Sequence, residues 1–337
     1  LSRATLEDVA KAAGVSLATA SRALARSPLV RPETIEKVQQ AAETLRYLPG
    51  GAARALASGR TMTIGAVVPT LDHAIFSRAI QAMQTRLAAS GYQLLVAAHD
   101  YDPVREADAV RALLSRGVDA LMVVGADHLE ETWNLLSSAR GPVALSWSFD
   151  DRFDSIGFDN ELAGRLAAEH FLSLGHRRFG MISGRLTSND RARMRVAGFR
   201  ATLEEKGCDL PGGSVVEQDF SLAGGRAGLA ILLDAPAPPT AVLCGNDLLA
   251  IGALIEAQSR GVSVPGALSV CGIDDLEMAS HVSPSLTTVR LPTVELGERV
   301  AQHLLAKLAG EAAPARVSLR IELVARASTS RPNGPSR

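Results

Sequence analysis

The 337-residue chain is 47% apolar and 21% charged, with a net charge of −1, the make-up of an ordinary globular protein rather than a collagenous, low-complexity or membrane-spanning one. Its length allows two or three units, each able to bury a core. Charge is uneven: residues 1–60 hold nine Lys/Arg against five Asp/Glu, and the rest 26 against 31, so a basic head suited to phosphates precedes an acidic remainder.

Thr5 to Leu24, TLEDVAKAAGVSLATASRAL, contains two short helical patterns around Gly14, which supplies the positive φ of a sharp turn. Leu6, Val9, Ala10 and Ala13 share one face of the first helix. Ser16 is placed to cap a second helix running from Leu17 to about Leu24. This is the pattern of a helix-turn-helix, whose second helix enters the DNA major groove; a helical hairpin without a ligand is the plainer alternative. A third helix begins near Pro32-Glu33, with Ile35, Val38, Ala42 and Leu45 at helical spacing to close a small core. Pro49-Gly50-Gly51 then interrupts, and Ala52 to Ser58 allows only about two helical turns before Gly59. So short a helix is marginal alone, which predicts a linker that is helical only when supported.

From Thr63 strand and helix alternate. Apolar runs at Ile64–Val68, Gln93–Ala97, Ala120–Val124 and Val143–Ser146 are separated by amphipathic stretches such as Phe76–Ala89 and Val104–Ser115. A second series follows at Ile156–Phe158, Phe179–Ser183, Ser214–Glu217, Ala241–Gly245 and Ser269–Ile273. Helices are expected between them near Glu161–Leu174, Arg191–Lys206, Gly225–Leu233 and Asp247–Arg260. Two series of βα units predict two doubly wound α/β lobes, with ligand at strand carboxyl ends facing a cleft. Cys208, Cys244 and Cys271 are widely spaced, as reduced thiols of a cytosolic protein are. No apolar run spans a membrane and the first residues hold no signal-peptide core, so a cytoplasmic location is expected.

The chain resembles the lactose-repressor/galactose-repressor (LacI/GalR) family of bacterial transcription regulators. The likeness rests on Thr5-Leu6-Glu7-Asp8-Val9-Ala10, Ala13-Gly14-Val15-Ser16 and Thr19-Ala20-Ser21-Arg22 in order, then Arg31-Pro32-Glu33-Thr34, Leu45-Arg46-Tyr47-Leu48-Pro49 and Ala53-Arg54-Ala55-Leu56. Later segments GFDN, NDRARMRVAGF, CGNDLLAIGAL, GIDD and SPSLTTVRLP extend it over essentially the whole chain. The resemblance implies an all-α helix-turn-helix head (1–48), a hinge helix linker (49–61) and an α/β two-lobed core (62–328) like a periplasmic sugar-binding protein. Lobe one would comprise about 62–158 plus 290–316, and lobe two 159–289 plus 317–328. Leu286–Pro292 would cross back to lobe one, the strand Val317–Val324 would return to lobe two, and residues 329–337 would form a disordered tail.

In such a head Leu17 and Ala18 open the recognition helix and touch only apolar base features, whereas Arg22 can fork onto guanine. Thr5, Leu6, Ser16, Thr19, Ser21, Arg31, Thr34 and Ala53 complete the expected DNA contacts, chiefly to phosphates. Leu17 as a core leucine and Ser21 as a plain surface hydroxyl stay open. The family's hinge leucine matches Leu56, a wedge that kinks the operator with its symmetry mate; this implies a homodimer on a pseudo-palindromic site. No polar or aromatic residue stands at Leu17 or Ala18, so no operator sequence carries over from the family. No leucine-heptad tail follows the core.

Family positions place effector contacts at His73, Ile75, Phe76, Trp147, Asn189, Arg191, Arg195, Phe220, Asn246 and Asp274. Trp147 and Phe220 offer flat apolar faces, and Arg195, Asn246 and Asp274 offer hydrogen bonds to hydroxyls or a carboxylate. Asn246 as a helix N-cap and Arg191 in a salt-bridged surface pair are the plainer alternatives. A sugar or sugar acid is the effector expected, with no cofactor and no metal. An enzyme is the first rival, but AGGRAG (Ala223–Gly228) lacks GxGxxG spacing and neither a Walker A motif nor HExxH occurs. A secreted solute receptor, the second, would not need the basic head.

Overall fold

The computed structural model describes residues 4–24, 27, 29–47 and 59–332. The chain divides into two compact units, Leu1–Thr63 and Ile64–Arg337. In the first, α1 (Leu6–Ala13) opens on a capping box: the Thr5 hydroxyl accepts from the Asp8 N–H while the Asp8 carboxylate accepts from the Thr5 N–H. It ends at Gly14 with φ of 62°, the left-handed turn that glycine allows. The Ser16 hydroxyl accepts from the Thr19 N–H at 3.1 Å and so caps α2 (Leu17–Leu24), as its position in the sequence predicts. Pro32 begins α3 (Pro32–Thr44). Val9, Ala10, Ala13, Ala20, Ala23, Val38 and Ala42 form the core of this unit, small side chains that let three short helices pack closely.

The second unit contains two six-stranded sheets. Sheet one includes β1 (Thr63–Val68), β2 (Gln93–Ala98), β3 (Ala120–Val124), β4 (Val143–Ser146), β5 (Asp154–Gly157) and β11 (Arg316–Ser318), ordered β11-β5-β4-β3-β1-β2. Sheet two includes β6 (Phe179–Ser183), β7 (Val215–Glu217), β8 (Ala241–Cys244), β9 (Ser269–Asp274), β10 (Thr287–Arg290) and β12 (Glu322–Val324), ordered β12-β10-β9-β8-β6-β7. β10 and β12 run antiparallel, whereas β9 runs parallel to both β8 and β10. Nearly continuous apolar runs such as Ala-Leu-Met-Val-Val in β3 are buried along their whole length, as strands covered on both faces must be.

Lobe one has helices α4 (Ala74–Ala88), α5 (Pro103–Ser115), α6 (Glu130–Ser137) and α12 (Thr293–Leu308). Lobe two has α7 (Asn160–Ser173), α8 (Asp190–Glu205), α9 (Leu222–Leu233), α10 (Asp247–Ser259) and the short α11 (Glu277–His281). Among the described residues no helix is long and apolar enough to cross a membrane.

Three details differ from the sequence expectation. Val317–Val324 is not one strand: β11 joins sheet one beside β5, and β12 pairs with β10 in sheet two. Its alternating Val317, Leu319, Ile321 and Leu323 mimic a single strand, but Leu319 and Ile321 are buried in the crossing itself. Leu286–Pro292 is likewise mostly β10, with only the last residues crossing. The tail does not begin at 329: the Thr329 hydroxyl bonds His170 Nε2 at 2.8 Å, and the Ser330 N–H donates to the Ser269 hydroxyl at 3.1 Å. Its polar residues, two prolines and Gly334 read as a disordered segment, yet Thr329 and Ser330 close bonds within lobe two. Residues 333–337 lie outside the described residues.

Helices α7 and α8 meet backbone to backbone. A Cβ at Gly164 would fall 2.1 Å from the Arg195 carbonyl oxygen, and one at Gly198 would fall 2.0 Å from that of Glu161. Alanine is the better helix former by roughly 1 kcal/mol, but a carbonyl cannot step aside as a flexible side chain does. Gly164→Ala is therefore expected to destabilise the core by about 1–3 kcal/mol, since the helices must separate. A lower urea midpoint than that of the natural chain is the expected reading; an unchanged midpoint would show that the helices slide apart freely.

Candidate functional site

On the head, Ala20 and Ala23 of α2 face the core, which turns Leu17, Ala18 and Arg22 outward; Leu17 is 53% exposed and so is no core leucine. Arg31 is exposed, while Leu6, Thr19, Ser21 and Thr34 are half-buried. The Thr5, Ser16 and Thr19 hydroxyls are already engaged in helix caps, Ser16 and Thr19 with each other at 2.8 Å. Leu29 projects with 84% exposure from the turn before α3. Ala53 and Leu56 lie outside the described residues.

In the core unit the cleft lies between the lobes, at strand carboxyl ends. Several non-glycine residues there have positive φ: Tyr101 at 60°, Trp147 at 65°, Ser188 at 55° and Asp274 at 125°. Each such backbone is strained by about 1–3 kcal/mol and is held only by surroundings that fix it. A deep chamber of about 20 Å³ is lined by His73, Ile75 and Phe76 on one wall. Trp147, Asn189, Arg191, Arg195, Phe220 and Asn246 complete it, together with Tyr101 and Ala192. Nine of the ten residues expected from the sequence thus converge. Asp274 is not part of the lining; it is fully buried behind Arg195, whose charge it faces.

Asn160 ties this wall together. Its amide donates to the Trp147 carbonyl at 2.8 Å, and its side-chain oxygen accepts from Arg195 Nε at 3.1 Å. Arg195 Nη1 donates to the Gly245 carbonyl at 2.7 Å, so the guanidinium is fixed on two edges. Arg191 pairs with Asp190 at 2.7 Å, and Asp190 also accepts from the Ala126 N–H of lobe one at 3.2 Å. Asn189 and Asn246 are both N-caps, of α8 and α10, so Asn246 combines the capping role with a place on the chamber wall. Among the described residues Trp147 Nε1 and Asp274 Oδ1 are buried without a hydrogen-bond partner.

Burial sets the electrostatics. It holds the Arg195 guanidinium below its ordinary value, against the pull of Asp274, and pushes the Tyr101 phenol up to about 12. Burial also drives the Asp274 carboxyl well above the usual carboxylate range, only partly offset by Arg195. Asp247 accepts from the Thr288 hydroxyl at 2.5 Å and the Leu276 N–H at 2.7 Å, yet burial lifts it from 3.8 to about 7. The folded state therefore holds this proton longer than the unfolded chain, so the stability Asp247 contributes falls as pH rises from about 4 towards 7. Asp247→Asn is expected to be more favourable, relative to the natural chain, at about pH 8 than at about pH 5. Urea melts at both pH values test this; an identical difference at each would mean an ordinary carboxylate.

Tyr101, Asn160 and Asp190 escaped the sequence reading. Tyr101 precedes Asp102-Pro103, the cap and first residue of α5, and so stands in a strand-to-helix turn whose cap signal is local. Asn160 and Asp190 lie within the GFDN and NDRARMRVAGF segments, but nothing local marks their reach to Trp147 and Ala126.

Residues 5–50 match the lacI family of bacterial regulatory proteins, and residues 168–329 match the periplasmic binding protein-like domain. The chain is 35% identical over 332 residues to the HTH-type transcriptional regulator GntR of Pseudomonas aeruginosa, covering 97% of this chain and 96% of that protein. It is 31% identical to the HTH-type transcriptional repressor PurR of Haemophilus influenzae, covering 96% and 98%. Among solved structures, the lac repressor dimer bound to operator and the anti-inducer ONPF superimposes with a TM-score of 0.86 at 30% identity, covering 98% of this chain and all of that one. Likeness of this extent, from the capped head to the paired sheets, makes the chain a member of the LacI family: a DNA-binding transcriptional regulator with a ligand-binding core.

Proposed function

We propose that the protein is a cytoplasmic, dimeric repressor whose affinity for a pseudo-palindromic operator is set by a small polar effector, a sugar or sugar acid, bound between the core lobes. The observation that carries the effector reading is the chamber wall. Arg195 is fixed on two edges, and Trp147 Nε1 is buried without a hydrogen-bond partner among the described residues. Buried polar groups are rarely left unpaired, so a ligand that accepts from Trp147 Nε1 gains a hydrogen bond there. Phe76 and Trp147, with centroids 5.1 Å apart, supply an apolar face beside them. The two arginines favour a ligand with a carboxylate or several hydroxyls.

On the head, Leu17, Ala18 and Arg22 are the side chains we assign to base edges, and Thr5, Leu6, Ser16, Thr19, Ser21, Arg31 and Thr34 to the backbone. Ala53 and the wedge Leu56 follow from the family resemblance. The lac repressor relative was solved as a dimer on its operator, which supports a two-fold site here.

The test is a thermal-shift screen of sugars and sugar acids on the full chain. Each hit is then titrated against the duplex that the protein selects from a random pool. A hit should raise the melting temperature by mass action and change operator affinity by about 5–150-fold, the usual range of allosteric coupling. Ligands that bind the chain but leave operator affinity unchanged would remove the regulatory reading.

A further inference from the structure

One peptide of lobe one carries a contact to lobe two, and buried side chains hold it from behind. The Ala126 N–H donates across the lobes to Asp190 Oδ2 at 3.2 Å. The carbonyl of that same peptide, belonging to Gly125, lies 3.1 Å from His128 Nε2, and His128 Nδ1 lies 2.7 Å from Glu106 Oε2 of α5. The His128 and Glu106 side chains are 1% and 4% exposed, and Trp133 meets the imidazole edge-on at 4.7 Å. The backbone presses close to lobe two here: a Cβ at Gly125, whose φ is 95°, would fall 2.1 Å from Arg191 Nη1. One residue further on, Asp127 and Arg193 form a second pair between the lobes at 2.7 Å.

The acceptors in this row set how many protons it needs. A carbonyl only accepts, so His128 Nε2 carries a hydrogen when it bonds Gly125. Nδ1 and the Glu106 carboxyl then meet across one further proton, as imidazolium and carboxylate or as neutral ring and acid. A neutral ring beside an ionised Glu106 has one hydrogen for two acceptors and leaves one of the bonds unmade. The surrounding groups do not supply that proton. Burial holds the His99 imidazole, 3.6 Å from Glu106 Oε1, below its ordinary value against the pull of Glu106, and Arg191 adds to the depression. Burial opposes ionisation of Asp190, yet Arg191, its partner at 2.7 Å, keeps it below its ordinary value. Asp150, also near the ring, pairs with Arg152 at 2.9 Å. A chain of hydrogen bonds, each polarising the next, thus runs from Glu106 through the ring and the peptide to Asp190.

We propose that His128 and Glu106 are positioning residues for the lobe–lobe contact: with one shared proton they fix the Gly125–Ala126 peptide so that its N–H meets Asp190. When that proton leaves, the Nε2 lone pair faces the Gly125 carbonyl, the peptide loses its orientation and the contact to α8 weakens. The contact is complete while the pair holds its proton and is lost as pH rises and removes it. The relay acts whatever effector the cleft takes.

Hydrogen–deuterium exchange of the ligand-free full chain tests it, read on the segment 121–130 and corrected for the intrinsic pH dependence of amide exchange. Asp190→Ala gives the baseline of a broken contact. Between about pH 6 and about pH 9 the natural chain should lose about tenfold of its protection at Ala126, the equivalent of one hydrogen bond to a charged group. Glu106→Gln should keep the protection and flatten the profile, because its amide donates to Nδ1 and leaves the neutral ring free to donate to Gly125. His128→Phe keeps a ring against Trp133 but has no donor, and should match Asp190→Ala at every pH. A natural chain whose protection ignores pH, a Glu106→Gln profile equal to the natural one, or full protection in His128→Phe overturns the relay. If His128→Phe does not fold, the profiles of the natural chain and Glu106→Gln decide alone.

Discussion

Deletion of residues 1–60 is expected to abolish specific operator binding, a loss of at least about 10³-fold, while the remaining chain keeps a cooperative melt and its ligand response. The loss spans the gap between specific and non-specific DNA affinity. Both halves of the expectation follow from the division of the chain. The head has a closed core of its own around Val9, Ala20 and Val38, and the core unit is compact from Ile64 onward. The head also has the surplus of positive charge, nine Lys/Arg to five Asp/Glu, whereas the remainder is net acidic and repels phosphates. For the full chain, operator affinity should fall steeply with salt as displaced counterions lose their entropic advantage. Fluorescence anisotropy on the selected operator measures the affinities, and a thermal melt of the truncated chain with and without ligand measures the rest. A truncated chain that still discriminates operator from random duplex would mean that the recognition surface lies in the core.

The head was legible because its signals are local. Gly14 at a positive φ, Ser16 as a cap and Pro32 at a first helical turn each act within a few residues, and each stands in the structure where the sequence puts it. The βα alternation was legible for the same reason. What escaped was set by distance along the chain. The split of β11 from β12 depends on which sheet each end joins, and period-two alternation is blind to that. The reach of Asn160 to both Trp147 and Arg195 links positions 13 and 35 residues away. Positive φ at Trp147 is likewise imposed by packing, since a bulky aromatic rarely adopts it. Nine expected effector residues nevertheless met at one chamber, because strand carboxyl ends converge in any doubly wound lobe.

Arg195→Ala and Asp274→Asn are each expected to remove the effector's influence on operator affinity while ligand-free DNA binding stays intact. Arg195 is fully buried and fixed by Asn160 and Gly245, so its remaining N–H groups reach a ligand without further ordering. Hydrogen bonds to a charged group are worth roughly 1.5–3 kcal/mol each, so losing it should weaken ligand binding about 10- to 150-fold. Removing one of two neighbouring buried charges is often ruinous to folding. Burial pushes the Asp274 carboxyl well above the usual carboxylate range, and loss of the Arg195 charge pushes it further the same way, which lessens the cost of leaving it without that neighbour. Asp274→Asn keeps shape and volume but removes the carboxyl whose charge faces Arg195, and Asp274 Oδ1 has no hydrogen-bond partner among the described residues. Neither residue belongs to the unit that carries the helix-turn-helix, so ligand-free operator affinity should stay within about twofold. Calorimetry with the effector found by screening, beside anisotropy with and without it, separates binding from response. Full ligand affinity in both variants would put the pocket elsewhere in the core and withdraw Arg195 and Asp274 from the site.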